Sequence, residues 1–406
     1  MCSYDGAAVS RGRMETIRRQ EKSKRQRTFD TIGRAVVEQQ PPEISKQNGL
    51  DQHPKTPMTP LTEILCRLVE EHEILSREQA RAAMQIILQD TPQTLPDTQI
   101  AALLTVFAAR GVTSGELAGF VDAMRAHAVP LPFTAAERAT LVDTCGTGGD
   151  ARGTFNVSTA VALVAAAAGA KIAKHGNRNL TSRCGSADVL EALGVPTELD
   201  AEEAVACLRA TGFVFLYAPK MHPAMQRVQP IRRALGMRTV FNVLGPLTNP
   251  AYAPAQVVGV YAANLVVLVA EAMVKLGIRH GFVVHGMDGL DEITLSGETE
   301  VAEVKNGAIR IFKFVPEDVG LHPASLEKMA GGNAEENAAI LRSILEGEAG
   351  PRRDIVLINA AAALVAGGLA VDLRVGIEAA ARAIDSGKAK QTLTAVVEFG
   401  KTASSC

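Results

Sequence analysis

Short apolar runs alternate with longer helical segments beyond Pro132, and this alternation limits the possible folds more than any other feature of the chain. It is typical of strands joined by crossover helices in a parallel sheet. The predicted strands are Leu141–Asp143, Lys171–Lys174, Val214–Tyr217, Val257–Tyr261 and Phe282–His285. The predicted helices between them are Ser158–Ala168, Ser186–Leu193, Ala201–Thr211 and Leu265–Leu276. We therefore expect an α/β fold with a mostly parallel central sheet.

Downstream of these strands, two further runs flank Asn306 and Gly307 and predict a β-hairpin over Glu300–Val304 and Ile309–Phe314. Helices over 333–345 and 354–369 are expected to close the chain. The sequence contains no internal repeat that would indicate a solenoid or an array.

Helices are also predicted before residue 130, where apolar residues recur at a spacing of three and four. The first helix is expected to run from Leu61, and Ser76 and Pro96 to begin the second and third. Thr113, with Glu116 three residues later, is expected to begin a fourth. This part of the chain is therefore predicted to be a small all-helical N-terminal domain.

The first 58 residues differ in composition from the rest of the chain, because they hold basic clusters and few apolar residues. Disorder is the expected state of such a segment. A nucleic-acid-binding role, a transit peptide and a true start at Met58 are alternatives. The expected division is a disordered extension at 1–58, a helical domain at 59–131 and an α/β domain at 132–406.

Composition argues against several classes of function. The net charge of −2, the absence of Trp and the 4% aromatic content argue against nucleic-acid binding. Cysteines are scattered, without zinc or disulfide spacing, which indicates a reducing compartment and predicts a cytoplasmic protein. The apolar runs are shorter than a membrane span or, over 355–371, rich in Ala and Gly, so no membrane partner is expected.

The run Gly146–Asp150, Gly-Thr-Gly-Gly-Asp, directly follows the first predicted strand. Glycine lets a phosphate approach backbone N–H groups without a Cβ in the way. Asn156, Ser158 and Thr159 then open an apolar helix, whose N-terminal dipole favours an anion. The run has neither P-loop nor dinucleotide-fingerprint spacing, and alone it is equally typical of a flexible turn.

A second polar run, Lys174–Arg178, ends the next predicted strand. Ligands of parallel α/β sheets gather outside the carboxyl ends of the strands, where both runs are expected to lie. Lys174 and Arg178 supply positive charge, and His175 and Asn177 supply directional hydrogen bonds. Taken alone, this run is more typical of a basic surface loop.

Hydroxyl and carboxylate groups distinguish two later segments. Ser186 begins a predicted helix, where capping is a simpler role than holding phosphate. Asp288, Asp291 and Glu292 lie in a glycine-bearing loop, and such oxygen ligands suit Mg²⁺. This loop lacks the spacing of an EF-hand, and alone it is equally typical of an acidic turn.

Arg232 lies in an arginine-rich run between the third and fourth predicted strands. A half-buried arginine can clamp a carboxylate through two parallel hydrogen bonds. Its neighbour Arg233 is more typical of an ordinary helix surface.

Together and in this order, the segments resemble the anthranilate phosphoribosyltransferase family of tryptophan biosynthesis. The matching runs include Gly-Thr-Gly-Gly-Asp at 146–150, Asn-Val-Ser-Thr at 156–159, Lys-His-Gly-Asn-Arg at 174–178 and Asn-Val-Leu-Gly-Pro-Leu-Thr-Asn-Pro at 242–250. The resemblance covers roughly residues 61–400. It implies a helical domain hinged to a larger α/β domain, a mid-chain return to the helical domain around 220–240, and a homodimer.

The resemblance also implies a reaction, in which the phosphoribosyl group of phosphoribosyl pyrophosphate (PRPP) moves to the amine of anthranilate and pyrophosphate leaves. It implies Mg²⁺, two ions per subunit, with Ser158, Asp291 and Glu292 as ligands. No catalytic residue is certain; Lys174, His175 and Arg232 are expected to position substrates, with Arg232 on the anthranilate carboxylate. The residues expected to bind substrate are Gly146, Thr147, Gly148, Gly149, Asp150, Thr154, Asn156, Ser158, Thr159, Lys174, His175, Gly176, Asn177, Arg178, Thr181, Ser182, Ser186, Tyr217, His222 and Arg232.

One departure from the family pattern lies before Gly185, where a serine-rich loop is replaced by Thr181-Ser182-Arg183-Cys184. A thiol is a poor phosphate donor, so the closure of this loop on the 5-phosphate is in question. Two alternatives remain: a pyrimidine nucleoside phosphorylase of the same architecture, and a non-catalytic nucleic-acid-binding relative. The first would show different loop sequences, and the second is expected to lose the glycine run and gain a basic surface.

Overall fold

The computed structural model describes residues 59–89, 95–178 and 184–403. The predicted helices before the sheet are present, each with a buried apolar face: α1 (Pro60–Val69), α2 (Arg77–Gln89), α3 (Asp97–Arg110) and α4 (Ser114–Ala126). Thr113 begins α4 with a capping box, since its hydroxyl accepts from Glu116 N–H and the Glu116 carboxylate accepts from Thr113 N–H. The predicted starts of these helices are therefore confirmed.

The described part of the chain forms a seven-stranded sheet in the order β3-β2-β1-β4-β5-β6-β7. The strands are β1 (Leu141–Asp143), β2 (Lys171–Gly176), β3 (Phe213–Tyr217), β4 (Ala255–Gly259), β5 (His280–Gly286), β6 (Thr299–Lys305) and β7 (Ala308–Phe314). Pairings among β1 to β5 are parallel, and those of β6 with β5 and β7 are antiparallel. Asn306 and Gly307 take positive φ in the β6–β7 turn. The mostly parallel sheet and the hairpin are thus confirmed.

Helices cover the sheet and continue to the C-terminal end of the described chain. They are α5 (Ala135–Arg138), α6 (Val157–Ala167), α7 (Ser186–Ala192), α8 (Ala201–Thr211), α9 (Ala218–Met221), α10 (Gln229–Leu235), α11 (Phe241–Leu247), α12 (Asn264–Lys275), α13 (Ala334–Leu345), α14 (Pro351–Ala366), α15 (Leu373–Asp385) and α16 (Lys388–Ala403). Short 3₁₀ helices lie at Pro223–Arg227, Pro316–Val319 and Leu326–Met329. The prediction that a helix over 354–369 closes the chain is wrong, because α15 and α16 follow it.

Buried apolar side chains form two clusters. One surrounds the Ala-rich helices α6 and α14 and fills the space between them and the sheet. The other joins the helices before the sheet to α12, and it includes Val228 and Ile231 from the segment between β3 and β4. The mid-chain segment therefore packs with the early helices, while the domain limits 59–131 and 132–406 stay a prediction. Among the described residues, no helix is long and apolar enough to cross a bilayer.

Candidate active site at the carboxyl edge of the sheet

The sheet order determines where a ligand can lie. β2 and β3 lie on one side of β1, and β4 lies on the other, so the chain changes winding direction at β1. A crevice forms at such a point outside the carboxyl ends of the strands. Asp143 ends β1, and Lys174 and His175 lie near the end of β2. The two polar runs predicted to share an edge are therefore brought together.

The Asp143 carboxylate links the ends of β1 and β2 below this crevice through hydrogen bonds. Its Oδ1 accepts from the N–H groups of Cys145 at 3.1 Å and His175 at 3.2 Å. Its Oδ2 accepts from Asn249 Nδ2 at 2.8 Å, and the same nitrogen donates to Ala173 O. Burial raises the pKa of Asp143 to about 6. Asp143 and Asn249 are thus structural supports of the site, a role that the motif alone did not indicate.

The glycine run forms a turn held against β4 and the acidic loop. Gly148 and Gly149 have φ of 62° and 78°, a region that favours glycine. Gly148 N–H donates to Asp291 Oδ2 at 2.8 Å, and Thr147 N–H donates to Gly259 O at 2.8 Å. A Cβ on Gly259 would lie 1.5 Å from the Asp291 carbonyl oxygen, so only glycine permits this close approach.

Lys174 is the buried cation of the site, with 1% of its surface exposed. Its Nζ donates to Ser158 Oγ at 3.1 Å and to Thr144 O at 3.3 Å. Ser158 lies in the first turn of α6, and Asn156 is the N-cap of that helix. A full positive charge therefore lies beside the end of a helix where backbone N–H groups and the helix dipole already favour an anion.

Three acidic residues face the same space. Burial, together with the nearby charge of Asp150, raises the pKa of Asp291 to about 7. The pKa of Glu292 is well above its usual value because of burial and the charge of Asp291. Asp150 Oδ2 is buried and has no hydrogen-bond partner among the described residues. This cluster holds negative charge that the described part of the chain compensates only through Lys174.

No set of three or more described His, Cys, Asp or Glu residues forms a metal cage by itself. Mg²⁺ keeps water and substrate phosphates among its ligands and binds proteins through one or two carboxylates. Asp291 and Glu292, with the hydroxyl of Ser158, therefore fit an ion shared with a phosphorylated substrate and not an all-protein site.

Two histidines, His175 and His222, line the other side of the crevice. The rings of His175 and His222 meet edge to face, with centroids 5.2 Å apart. His175 Nδ1 lies 2.9 Å from Gly245 O, and its Nε2 has no partner among the described residues. Burial lowers the pKa of His175 to about 4 and that of His222 to about 3. Both rings are therefore neutral near pH 7.

The arginines predicted to bind substrate differ in their surroundings. Arg232 on α10 is half-buried, with its guanidinium 5.3 Å from the Phe241 ring centroid, and no described acid pairs with it. Burial lowers its pKa. Arg178 instead donates to Glu191 at 2.5 Å and lies 5.5 Å from the Tyr217 ring centroid. Arg232 thus remains available for a carboxylate, whereas the charge of Arg178 is already balanced.

The remaining predicted residues divide between the crevice and its rim. Thr154 pairs with Ala330 in an isolated bridge, Thr159 is fully buried, and Asn177 O accepts from Ala187 N–H. Gly146 and Gly176 lie at the edge already described. The prediction that Ser186 caps its helix is wrong, because Gly185 is the N-cap and Asp188 accepts from its N–H. Thr181 and Ser182 lie outside the described residues.

Two arginines that the motifs did not single out also border the site. Arg125 on α4 is buried, donates from Nε to Leu247 O at 2.9 Å, and has a pKa lowered by burial to about 10. Arg238 donates to Gly149 O at 2.5 Å and stacks 4.1 Å from the Tyr261 ring centroid. Arg238 belongs to the arginine-rich run, so its sequence context was a usable signal; Arg125 lies in an ordinary helical pattern and had none.

Comparison with known proteins places this architecture in a family. Residues 138–390 match the a/b domain of a glycosyl transferase family, and residues 62–128 match its helical bundle domain. The fold and the crevice thus define the class of the protein, a transferase of this glycosyl transferase type. An anthranilate phosphoribosyltransferase of Symbiobacterium thermophilum is 49% identical over 335 residues, which are 82% of this chain and 96% of the relative. The chain belongs to the anthranilate phosphoribosyltransferase family.

Solved structures agree with this placement. The Thermus thermophilus anthranilate phosphoribosyltransferase is 42% identical with a TM-score of 0.76, over 82% of this chain and 98% of that one. The Saccharomyces cerevisiae enzyme in complex with PRPP and Mg is 30% identical with a TM-score of 0.76, over 84% and 98%. The yeast enzyme is also known in complex with 4-fluoroanthranilate, at 29% identity and a TM-score of 0.74, over the same shares.

Proposed function

We propose that the protein transfers the phosphoribosyl group of PRPP to the amine of anthranilate, giving phosphoribosyl-anthranilate and pyrophosphate in tryptophan biosynthesis. The observation that carries the proposal is the meeting of the glycine run, buried Lys174 and the acidic pair Asp291–Glu292 at one sheet edge. A buried cation beside a helix N-terminus suits a polyanion, since a buried charge without a counter-charge is costly. The family relatives support this reaction over the nucleoside phosphorylase and the nucleic-acid-binding protein.

The donor half of the crevice is proposed to hold the pyrophosphate of PRPP. The glycine run Gly146–Asp150 lets a phosphate approach the backbone closely, the N-terminus of α6 adds its positive dipole, and Lys174 adds a full charge. Asn156, Ser158 and Thr159 lie where the ribose and its phosphates would meet the helix. Negative charge grows on the leaving pyrophosphate as its bond to ribose breaks, and donors fixed in advance stabilise it without reorganising.

The acidic half is proposed to bind Mg²⁺, two ions per subunit, through Ser158, Asp291 and Glu292. The raised pKa values of the carboxyls support this proposal, because they arise from burial and from repulsion between the acids, and a bound cation would favour the charged form against both. When bound, Mg²⁺ supplies positive charge that neutralises the pyrophosphate oxygens.

The acceptor is proposed to lie between the histidine pair and Arg232. Arg232 would pair with the anthranilate carboxylate, while His175 and His222, both neutral, form a wall without charge. Asn177 and Tyr217 border the same side. An aromatic amine with an ortho carboxylate is barely basic and arrives neutral, so positioning rather than a strong base would account for much of the rate.

Anthranilate fluorescence tests the proposal. We expect its loss on adding enzyme to require PRPP and Mg²⁺ together, and to stop when Mg²⁺ is chelated. Unchanged fluorescence with both present, alongside release of a free base from a pyrimidine nucleoside and phosphate, would replace this proposal with the phosphorylase. Repeating the assay with substituted anthranilates would define the acceptor range.

We also propose that the protein is a cytoplasmic homodimer. Cys66, Cys145 and Cys207 are free thiols among the described residues, which supports a reducing compartment. Sedimentation velocity would test the dimer, and cell fractionation would test the compartment.

A further inference from the structure

Asn337 on α13 lies outside the motifs of the donor site, and 2% of its surface is exposed. Its Oδ1 accepts from Gly332 N–H at 2.7 Å, and its Nδ2 donates to Asn156 Oδ1 at 2.9 Å. Asn156 in turn donates from Nδ2 to Cys184 O at 3.2 Å. These two side-chain amides form a relay from the backbone at Gly332 to the backbone at Cys184.

The direction of this amide relay is determined by its two ends. A backbone N–H can only donate, so Asn337 must turn its oxygen toward Gly332 and its nitrogen toward Asn156. A backbone carbonyl can only accept, so Asn156 must turn its nitrogen toward Cys184. Reversing either amide would place two donors or two acceptors face to face. Asn337 and the Cys184 carbonyl therefore hold the Asn156 amide in one orientation from its two sides.

Asn156 stands where the donor is proposed to bind. It is the N-cap of α6, and its carbonyl accepts from the N–H groups of Thr159 and Ala160, both at 3.1 Å. Ser158, which holds Lys174, follows two residues later. An amide has two N–H donors and two lone pairs, so one of each remains on Asn156 beyond the relay. Those remaining groups have a defined direction only while the relay is intact.

The backbone around Asn156 is held by separate contacts. Phe155 N–H donates to Met329 O at 3.0 Å, and Gly331 N–H donates to Gly153 O at 2.9 Å. Arg352 Nη2 donates to Ala330 O at 2.9 Å and anchors the same segment. Because these bonds do not involve the Asn337 side chain, they still hold this backbone when Asn337 is truncated. The truncation then removes the acceptor of Gly332 N–H and one of the two side-chain partners of Asn156.

We propose that Asn337 is a positioning residue for the phosphoribosyl donor, acting through the amide of Asn156. The proposal rests on the function proposed above. Removing a buried hydrogen-bond partner is expected to weaken PRPP binding, because the Asn156 amide is then held only by its bond to Cys184 O. Anthranilate lies on the other side of the crevice, so its binding is expected to stay unchanged.

Steady-state kinetics with Asn337→Ala tests the relay. We expect the KM for PRPP to rise about tenfold, with kcat and the KM for anthranilate within about twofold of wild type. Asn337→Leu, which keeps the branched shape of asparagine without its polar atoms, is the second variant should the alanine variant not fold. Asn333→Ala is the matched control, since Asn333 caps the same helix through Glu336 N–H and does not reach Asn156. Its expected result is a lower melting temperature with an unchanged KM for PRPP.

A double-mutant cycle with Asn156→Ala separates positioning from a general structural role. In that background, Asn337→Ala is expected to cause no further rise in the KM for PRPP, because the amide through which it acts is gone. Additive effects, an equal rise in Asn333→Ala, or a KM within twofold for both Asn337 variants would each overturn the proposal. A wild-type protein that consumes no anthranilate would sink the proposed function instead. PRPP titration by calorimetry on the same variants would then decide the relay, which fails if Asn337→Ala binds PRPP as tightly as wild type.

Discussion

The amino ends of the parallel strands form one edge of the central sheet, and their carboxyl ends form the other. Both edges carry lysine and arginine, but the charges of these side chains are compensated in different ways. At the amino edge, a groove of about 650 Å³ is lined by Lys171, Arg279 and Lys305. The C-terminal ends of α6 and α14 open onto this groove, and their carbonyls carry partial negative charge. The cations there offset that charge, so the amino edge needs no ligand.

At the carboxyl edge, Lys174 lies near the other end of β2 and beside the N-terminus of α6, where the helix dipole is positive. Burial and the charge of Asp150 raise the pKa of Asp291 there to about 7. The buried charges at this edge are therefore less well compensated than those at the amino edge, and this difference supports the proposal that the ligands bind at the carboxyl edge.

Replacing each of the two lysines of β2 separately with alanine should give the largest difference in activity between the two edges. We expect Lys174→Ala to lower kcat/KM for PRPP by about a thousandfold, because a preorganised charge on the leaving group is lost. Lys171→Ala, at the opposite end of the same strand, should stay within about twofold of wild type. Initial rates under PRPP-limited conditions measure both, and equal losses would remove the distinction between the edges.

Two adjacent arginines on α10 sharpen the contrast for the acceptor. Arg232→Ala is expected to raise the KM for anthranilate about fiftyfold, through loss of a half-buried charged pair. Arg233→Ala should have little effect, because that side chain is exposed. A rise in the KM for PRPP instead of anthranilate in the Arg232 variant would place this residue on the donor.

Asp291→Asn tests whether the charged form of the buried Asp291 carboxyl destabilises the fold. A carboxyl whose pKa is higher in the folded than in the unfolded state destabilises the fold increasingly as pH rises from about 4 to about 7. The metal-free variant should therefore gain stability over wild type across this range, on the order of 4 kcal/mol above pH 7. Urea unfolding with chelator present measures the difference. A gain that is constant with pH would argue against this cause.

Arg178→Ala should have the smallest effect. The guanidinium is already paired with Glu191 at the rim, and exposed pairs contribute about 1 kcal/mol or less. We expect a slightly lower melting temperature and a KM for PRPP within about twofold of wild type. A tenfold rise would return this arginine to the phosphate site that the sequence predicted.

The parts of the fold that could be predicted are those set by local rules. Alternating apolar runs located the strands, Asn306-Gly307 located the hairpin, and Thr113 with Glu116 located a helix start. α15 was not predicted, although Leu373, Ile377, Ala380 and Ile384 recur at helical spacing. The N-cap of α7 was predicted to be Ser186, but it is Gly185.

The site was predictable where its residues end strands or begin helices, as Lys174 and Ser158 do. It was not predictable where a contact joins distant segments. Asn156 and Asn337 are 181 residues apart, and Asp143 and Asn249 are 106 apart. No periodicity or spacing links such pairs, since only the folded sheet brings them together.

The β6–β7 hairpin also affects the tendency of the protein to aggregate through its sheet edge. β7 is the outer strand of the sheet within the described residues, and an unpaired strand edge can recruit another chain. Arg310 and Lys313 lie on β7, paired with Glu303 and Glu298 of the neighbouring segment. Charged side chains on an edge strand discourage strand addition, so this hairpin protects the molecule from edge-to-edge aggregation.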